Sequence, residues 1–406
     1  MVIKDALITV GVRVTLVAAG LAIAIVTARW LGPAGRGDYF FVVALSTIAG
    51  QIVHLGLHAS NAFHVAKGPH LFDALAVNSY WVSVVLGAAA AAVSIVAIVS
   101  FGQSKHGIES LVWALLLTPT GLATLYISNL YVGAGRISEF NAIQLASAVL
   151  PYALICVVAV FSHAAPAFLA AAAIAGVLNL LILAGYTFRG RSVNWHFDSE
   201  LFREGLPFAM RAYVINTLTT LALKSPALMF NSAALKSELG YFSIAAQVFD
   251  AVSVVPASIA AVLFPVLMKL GADRWRETRR YMVVLMGLAL LVAFVVGGCS
   301  KVFVDVLFGV RFSAAVTPLR IILPGAVFVS GTSLLSQYLA THGMPRSTAL
   351  AWLAAAAICI GCGPVLVRNY GAAGGAFVLS CASAVAWAIM LALSLRASRH
   401  FVELPI

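Results

Sequence analysis

Charged residues are scarce in this sequence, and acidic ones are the scarcest. The 406 residues include 14 Asp and Glu against 25 Lys and Arg, and charged residues make up 10% of the chain. Soluble domains contain about 25% charged and about 45–50% apolar residues, whereas 62% of this chain is hydrophobic. No soluble core of this length needs so much apolar surface. The composition therefore excludes an ordinary soluble domain and predicts an integral membrane protein.

Cysteines are also few, and all of them fall within or at the ends of apolar stretches. They are Cys156, Cys299, Cys359, Cys362 and Cys381. A disulfide framework is therefore not indicated. Cys359 and Cys362 form a C-x-x-C pattern, but an apolar helix disfavours the thiolate that redox or zinc chemistry needs. We interpret the pattern as packing of small residues.

The chain also lacks signatures of catalysis. It contains no G-x-x-x-x-G-K-[ST] phosphate-binding loop, so we do not expect it to hydrolyse ATP. A membrane glycan polymerase or ligase is expected to carry a large external loop, and the external connections here are short. We therefore expect no enzyme and no cofactor.

Twelve apolar stretches are long enough to cross a bilayer as helices. They are continuous rather than alternating, which favours an all-α membrane protein over a barrel. The predicted spans are Leu7–Ala28, Tyr39–Ser60, Asn78–Phe101, Glu109–Val132, Asn141–Phe161, Ala167–Phe188, Leu206–Phe230, Tyr241–Leu267, Tyr281–Ser300, Ala315–Thr341, Ser347–Val367 and Ala373–Leu395.

Basic residues cluster in the short connections, where they set orientation rather than bind nucleic acid. They are more numerous on the side that carries both termini, which predicts cytoplasmic termini. The first span is too long for a signal-peptide core, so we expect it to remain as an anchor.

Faint self-similarity divides the chain into halves. Gly37-Asp38-Tyr39-Phe40 opens the second span and Gly240-Tyr241-Phe242-Ser243 opens the eighth. Six helices per half give both halves the same orientation, related by an axis along the membrane normal. We predict two six-helix lobes around a central cavity, with residues 1–190 as the first lobe, 191–204 as a cytoplasmic linker and 205–406 as the second lobe with a short tail.

The turn after the first span carries a specific resemblance. Ala28–Tyr39 reads A-R-W-L-G-P-A-G-R-G-D-Y and resembles the A-R-x-L-G-P-x-x-x-G-x-Y opening of bacterial polysaccharide (O-antigen type) flippases. These belong to the multidrug/oligosaccharidyl-lipid/polysaccharide exporter superfamily. Further short Gly and Pro patterns follow in the same order over nearly the whole chain. Relatives often carry an acidic residue late in the seventh span, where this chain has Lys224, so a coupling role for that acid is not carried over.

Cations inside spans are costly and should face an aqueous cavity or reach an interface. Arg13, Arg211, Lys224 and Arg320 form a candidate path for a diphosphate from one side of the membrane to the other. For Arg211, Lys224 and Arg320 the alternative is snorkelling to the nearby interface; Arg13 is deeper. Asn61 and Gln337 are candidate ligands for sugar hydroxyls, or ties between helices.

Asp250 is the carboxylate placed well inside a span, with Gln247 one turn earlier on the same face. It is expected either to bind a proton or sodium ion or to pair with an arginine. His54 and His58 have the i, i+4 spacing of metal ligands, but no third ligand is evident, so we predict hydrogen bonding and no metal site.

The resemblance implies a flippase that moves polyprenyl-diphosphate-linked oligosaccharide from the inner to the outer leaflet by alternating access, for surface polysaccharide assembly. It also implies a bacterial inner membrane location, with a polysaccharide polymerase and glycosyltransferases as partners. The alternative within the superfamily is a cation-coupled multidrug antiporter. The cationic cavity favours an anionic lipid-linked substrate.

Overall fold

Long helices make up the protein in the residues that the computed structural model describes, which are 2–100, 108–190, 194–230, 235–342 and 347–400. In these ranges the chain forms no strand. The helices are α1 (Val2–Val53), α2 (Leu57–Lys67), α3 (Phe72–Ser100), α4 (Ile108–Leu111), α5 (Ala114–Gly133), α6 (Ile137–Phe161), α7 (Ala165–Thr187), α8 (Ser199–Leu228), α9 (Lys236–Lys269), α10 (Arg274–Gly298), α11 (Ser300–Leu307), α12 (Val316–Ala340) and α13 (Thr348–His400).

Nine segments of the described chain are long and apolar enough to cross a membrane. Two of them are too long for one crossing: 43 residues within α1 and 52 within α13, where about 20 residues suffice. Each contains one glycine with non-helical dihedrals, Gly32 (φ 65°) in α1 and Gly371 (φ 54°) in α13. Glycine tolerates this left-handed region without a Cβ penalty. Each long helix therefore crosses twice, and α8 supplies a further span, in agreement with the predicted all-α fold of about twelve crossings.

The second predicted span is broken near its end. Leu55 (φ 47°) and Gly56 (φ 70°) both adopt left-handed dihedrals, which end α1 at Val53 and start α2 at Leu57. A Cβ on Gly56 would lie 2.0 Å from the carbonyl oxygen of Ala209 in α8. Glycine is therefore required here both by the dihedrals and by the close approach of the two helices.

Helix α8 begins at Ser199, inside the segment predicted as a linker. Asp198 caps it, because one carboxylate oxygen accepts hydrogen bonds from the backbone N–H groups of Glu200 (3.1 Å) and Leu201 (2.9 Å). The first turns are polar, so a hydropathy window alone does not detect them. Similarly, α3 begins at Phe72 rather than Asn78, and the short helix α11 was not predicted.

We call α1–α7 the first lobe and α8–α13 the second lobe. The first lobe packs against the second mainly through α1 on α9, and through α1 and α2 on α8. We call the end of the bundle with the Gly32 turn the Gly32 face, and the end with the capped start of α8 the Asp198 face. The basic residues predict that the Gly32 face is external.

Candidate functional site

A cavity of about 190 Å³ lies between α1 and α9, on the boundary between the lobes. Arg13, Leu16 and Val17 line it from α1, and Gln247, Asp250, Ala251 and Val254 line it from α9. Arg13 is exposed. Three of the residues singled out from the sequence, Arg13, Gln247 and Asp250, thus meet in one cavity although more than 230 positions separate the first from the others.

A fourth predicted residue, Lys224 of α8, joins this cavity through an ion pair. Its Nζ lies 2.6 Å from Oδ2 of Asp250, so Asp250 pairs with a lysine rather than with an arginine. The side chains remain 30% and 41% exposed, respectively, and such partly exposed pairs contribute little to stability. The pair is therefore accessible to a competing ion or phosphate.

The local charge balance is positive. Among the described side chains of this cluster, Asp250 offsets Lys224, which leaves the charge of Arg13 uncompensated. Arg13 presents a planar fork of N–H donors that matches phosphate geometry. The arrangement can thus hold an anion between the lobes, with Gln247 as a neutral hydrogen-bonding group beside it.

A second cavity, of about 280 Å³, lies within the first lobe between the second half of α1 and α5. Neutral polar side chains line part of it: Ser46, Thr47, Gln51 and Thr118. The carbonyl oxygen of Gln51 accepts a hydrogen bond from Thr217 of α8 at 3.2 Å, which places this wall beside the other lobe. Hydroxyl and amide groups of this kind suit sugars, and scattered Ser and Thr gave no signal in the sequence.

The remaining predicted site residues lie elsewhere. Arg320 lines a separate groove between α10 and α12. Asn61 is buried and donates a hydrogen bond to Ser79 of α3 at 2.8 Å, which ties two helices of the first lobe. Gln337 is half-buried on α12. The side chain of Arg211 lies outside the described residues.

Charged residues near the Gly32 turn and at the start of α9 join the lobes at the Gly32 face. Arg36 is buried, and donates from Nη1 to Thr27 (2.6 Å) and from Nε to Ser243 of α9 (3.1 Å). Lys236 at the start of α9 lies 3.1 Å from Asp38. Arg29 donates to backbone carbonyls at the end of α11. These contacts join α1 of the first lobe to α9 and α11 of the second.

The two segments that resemble each other in sequence contact each other reciprocally. A Cβ on Gly37 would lie 2.1 Å from the carbonyl oxygen of Lys236, and a Cβ on Gly240 would lie 2.0 Å from that of Pro33. Each glycine thus lets one lobe approach the backbone of the other. The repeat noticed in the sequence therefore marks a close backbone contact between the lobes at the Gly32 face.

His54 and His58 take part in a different contact between the lobes. Their rings stack with centroids 5.2 Å apart, and Nε2 of His58 lies 3.4 Å from the amide nitrogen of Asn216 in α8. Within the described ranges no group of three or more His, Cys, Asp or Glu residues is placed to hold a metal. The contact with Asn216 shows that the histidines lie where α1 and α2 pack against α8.

Comparison with solved structures defines the class of fold. An inward-facing multidrug resistance MATE family transporter of the MOP superfamily matches with a TM-score of 0.75 at 15% identity, over 98% of this chain and 100% of that one. The Lipid II flippase MurJ in an inward closed conformation matches with a TM-score of 0.72 at 14% identity, over 98% and 91%. An outward-facing MATE family transporter gives 0.63 at 15% identity, over 98% and 96%. The chain thus has the fold of these multi-pass membrane transporters.

The family follows from the sequence itself. Residues 2–271 match the family described as "Polysaccharide biosynthesis protein", and the chain belongs to that family. Among curated proteins, none matches the sequence. The resemblance read from the Gly32 turn is confirmed by the family and by the fold.

Proposed function

We propose that this protein is a flippase that moves polyprenyl-diphosphate-linked oligosaccharide from the cytoplasmic to the outer leaflet of a bacterial inner membrane, rather than an enzyme. The observation that carries the proposal is the positive charge of Arg13 in the cavity between the lobes, which no described side chain of that cavity compensates. The diphosphate would bind Arg13, the sugars would face the polar wall at Ser46, Thr47 and Gln51, and the polyprenyl tail would stay in lipid. Glycosyltransferases and a polysaccharide polymerase would act before and after it.

Competition between the diphosphate and Asp250 for Lys224 offers a way to couple transport of the substrate to a proton or sodium gradient. A diphosphate that binds beside Arg13 would draw Lys224 away from Asp250, because two or more phosphate charges attract the ammonium more strongly than one carboxylate does. Asp250 would then be free to take a proton or a sodium ion. Release of the substrate on the other side would restore the ion pair and expel the cation.

Alternating access would use the closure at the Gly32 face. Arg13 lies about 28 Å along α1 from Gly32, at 1.5 Å per residue, so the cavity is on the Asp198 side of the closure. The higher TM-score with an inward-facing transporter than with an outward-facing one supports the same conclusion. With cytoplasmic termini, this arrangement would be the inward-facing state that loads substrate.

A cation-coupled multidrug antiporter is the second candidate, because an accessible carboxylate, Asp250, lies in the cavity and MATE transporters share the fold. Transport measured in vesicles that contain the purified protein distinguishes the flippase from the antiporter. The flippase predicts gradient-dependent movement of a fluorescent polyprenyl-diphosphate oligosaccharide and no exchange of organic cations. Transport of ethidium without movement of the lipid would overturn the proposal.

The glycine contacts at the Gly32 face lead to a prediction about conformation. We expect Gly240→Ala to force α1 and α9 apart, because the added methyl would lie 2.0 Å from the carbonyl oxygen of Pro33. Alanine stabilises a helix interior by about 1 kcal/mol relative to glycine, so the helix itself should not be weakened. The populations should shift toward the state open at this face.

The measurement is the distance between spin labels at Trp30 and Tyr370, in a background without the native cysteines. Both positions are exposed near the Gly32 face and lie on opposite lobes. Their distance distribution should lengthen in Gly240→Ala. The control is Gly287→Ala, where a Cβ meets no atom within 4 Å. An unchanged distribution in Gly240→Ala would show that this contact does not hold the face closed.

A further inference from the structure

A groove of about 470 Å³ runs between α10 and α12 of the second lobe, separate from the cavity at Asp250. Its described walls are apolar except at one end. Leu290, Phe294, Leu323, Val327 and Phe328 are among the residues that line it, and Arg320 is the charged residue there. Leu290 and Phe294 are 60% and 78% exposed. In a bilayer such a surface faces lipid.

The guanidinium of Arg320 is held in place by the end of α10 and the start of α11. Its Nε donates to the hydroxyl of Ser300 (2.8 Å) and to the carbonyl oxygen of Gly297 (3.2 Å). Among the described residues these are its hydrogen bonds, and the side chain is exposed. The N–H groups of its two terminal nitrogens therefore remain available to an anion outside the protein. A fixed fork of donors matches the geometry of a phosphate.

The groove has the dimensions of a lipid site. Arg320 lies about 6 Å from the first residue of α12, at 1.5 Å per residue, which is close to the membrane interface. Phe328 lies about 12 Å further along the same helix. A lipid with its phosphate on Arg320 can thus lay the first part of an acyl chain along the apolar walls.

We propose that this groove binds an anionic glycerophospholipid of the surrounding bilayer, with the phosphate on Arg320 and an acyl chain between α10 and α12. Charge complementarity selects an anionic head group, and the apolar walls select the chain. The transported substrate is assigned to the boundary between the lobes, whereas this groove lies within one lobe. The site would therefore hold a lipid that stays in place and joins α10 to α12. This proposal does not depend on what the protein transports.

The test measures phosphatidylglycerol on the purified full-length chain. Native mass spectrometry gives the lipid retained, and thermal unfolding in mixed micelles compares phosphatidylglycerol with phosphatidylcholine. We expect phosphatidylglycerol to raise the unfolding temperature of the wild type, and Arg320→Gln to retain it at least about tenfold less, since the variant loses charge-assisted hydrogen bonds to the phosphate. Arg320→Lys should keep part of the effect, and Arg368→Gln, at another exposed arginine, should behave as the wild type.

A second variant keeps the test decisive if Arg320→Gln does not fold. Gly298 lines the groove, and a Cβ there meets no atom within 4 Å. Gly298→Leu should therefore place its side chain in the groove and lower retention while leaving Arg320 intact. Equal stabilisation by the two lipids would overturn the proposal. So would full retention in both variants. Displacement of phosphatidylglycerol by a polyprenyl diphosphate would reassign the groove to substrate and would overturn it too.

Discussion

Replacement of Arg13 by alanine is expected to abolish export of lipid-linked oligosaccharide while the protein remains folded and inserted. Arg13 is exposed in the cavity between the lobes, so few internal contacts depend on it. Loss of a charge-assisted contact to the diphosphate should weaken substrate binding by about 10- to 100-fold. The measurement is flipping of a fluorescent polyprenyl-diphosphate oligosaccharide in vesicles, together with surface polysaccharide in cells.

Two further variants give this experiment its controls. Arg13→Lys keeps the charge but loses bidentate phosphate binding, so it should retain part of the activity. Arg280→Ala removes a cation that is 75% exposed, at a surface pair with Glu277, and should transport normally. If cells with Arg13→Ala make the usual amount of polysaccharide, Arg13 only snorkels to the interface and the substrate binds elsewhere.

The sequence predicted the helices well because each span must satisfy its backbone hydrogen bonds internally, and an apolar stretch of about 20 residues records that requirement. It could not predict the start of α8 at Ser199, because the residues there are polar and the position of the helix start is set by the N-cap, Asp198. The Gly32 turn was recognised as a motif. The sequence did not predict that this turn packs against the start of α9, because the contact joins residues about 200 positions apart in the chain.

Four residues singled out in the sequence, Arg13, Lys224, Gln247 and Asp250, meet at one cavity, but the sequence did not predict which of them pair. An intramembrane carboxylate needs a partner, and the sequence offered several cations for Asp250. The choice of Lys224 depends on how far α8 is shifted along α9, which side-chain packing sets and which no local pattern records. Arg36 was missed for a related reason. It lies between two glycines, Gly35 and Gly37, as in a loop, yet the close packing of α1 on α9 buries it.

The ion pair between Lys224 and Asp250 leads to a second prediction with a large expected effect. We expect Asp250→Asn to yield a stable protein that still binds lipid-linked oligosaccharide, because the substitution removes a competitor for Lys224. Flipping under an imposed proton or sodium gradient should fall at least about tenfold, equivalent to about 1.4 kcal/mol. Binding and gradient-driven flipping are measured separately, in detergent and in vesicles.

The double variant Lys224→Met/Asp250→Asn separates coupling from structure. If the pair only joins α8 to α9, each single variant should transport less because one charge is left without its partner, and the double variant should recover transport because neither charge is left alone. If Asp250 carries the coupling ion, the double variant should remain folded but should still show no response to a gradient. Gradient-stimulated flipping that survives Asp250→Asn unchanged would remove Asp250 from the mechanism and leave the pair as a contact between two helices of one lobe.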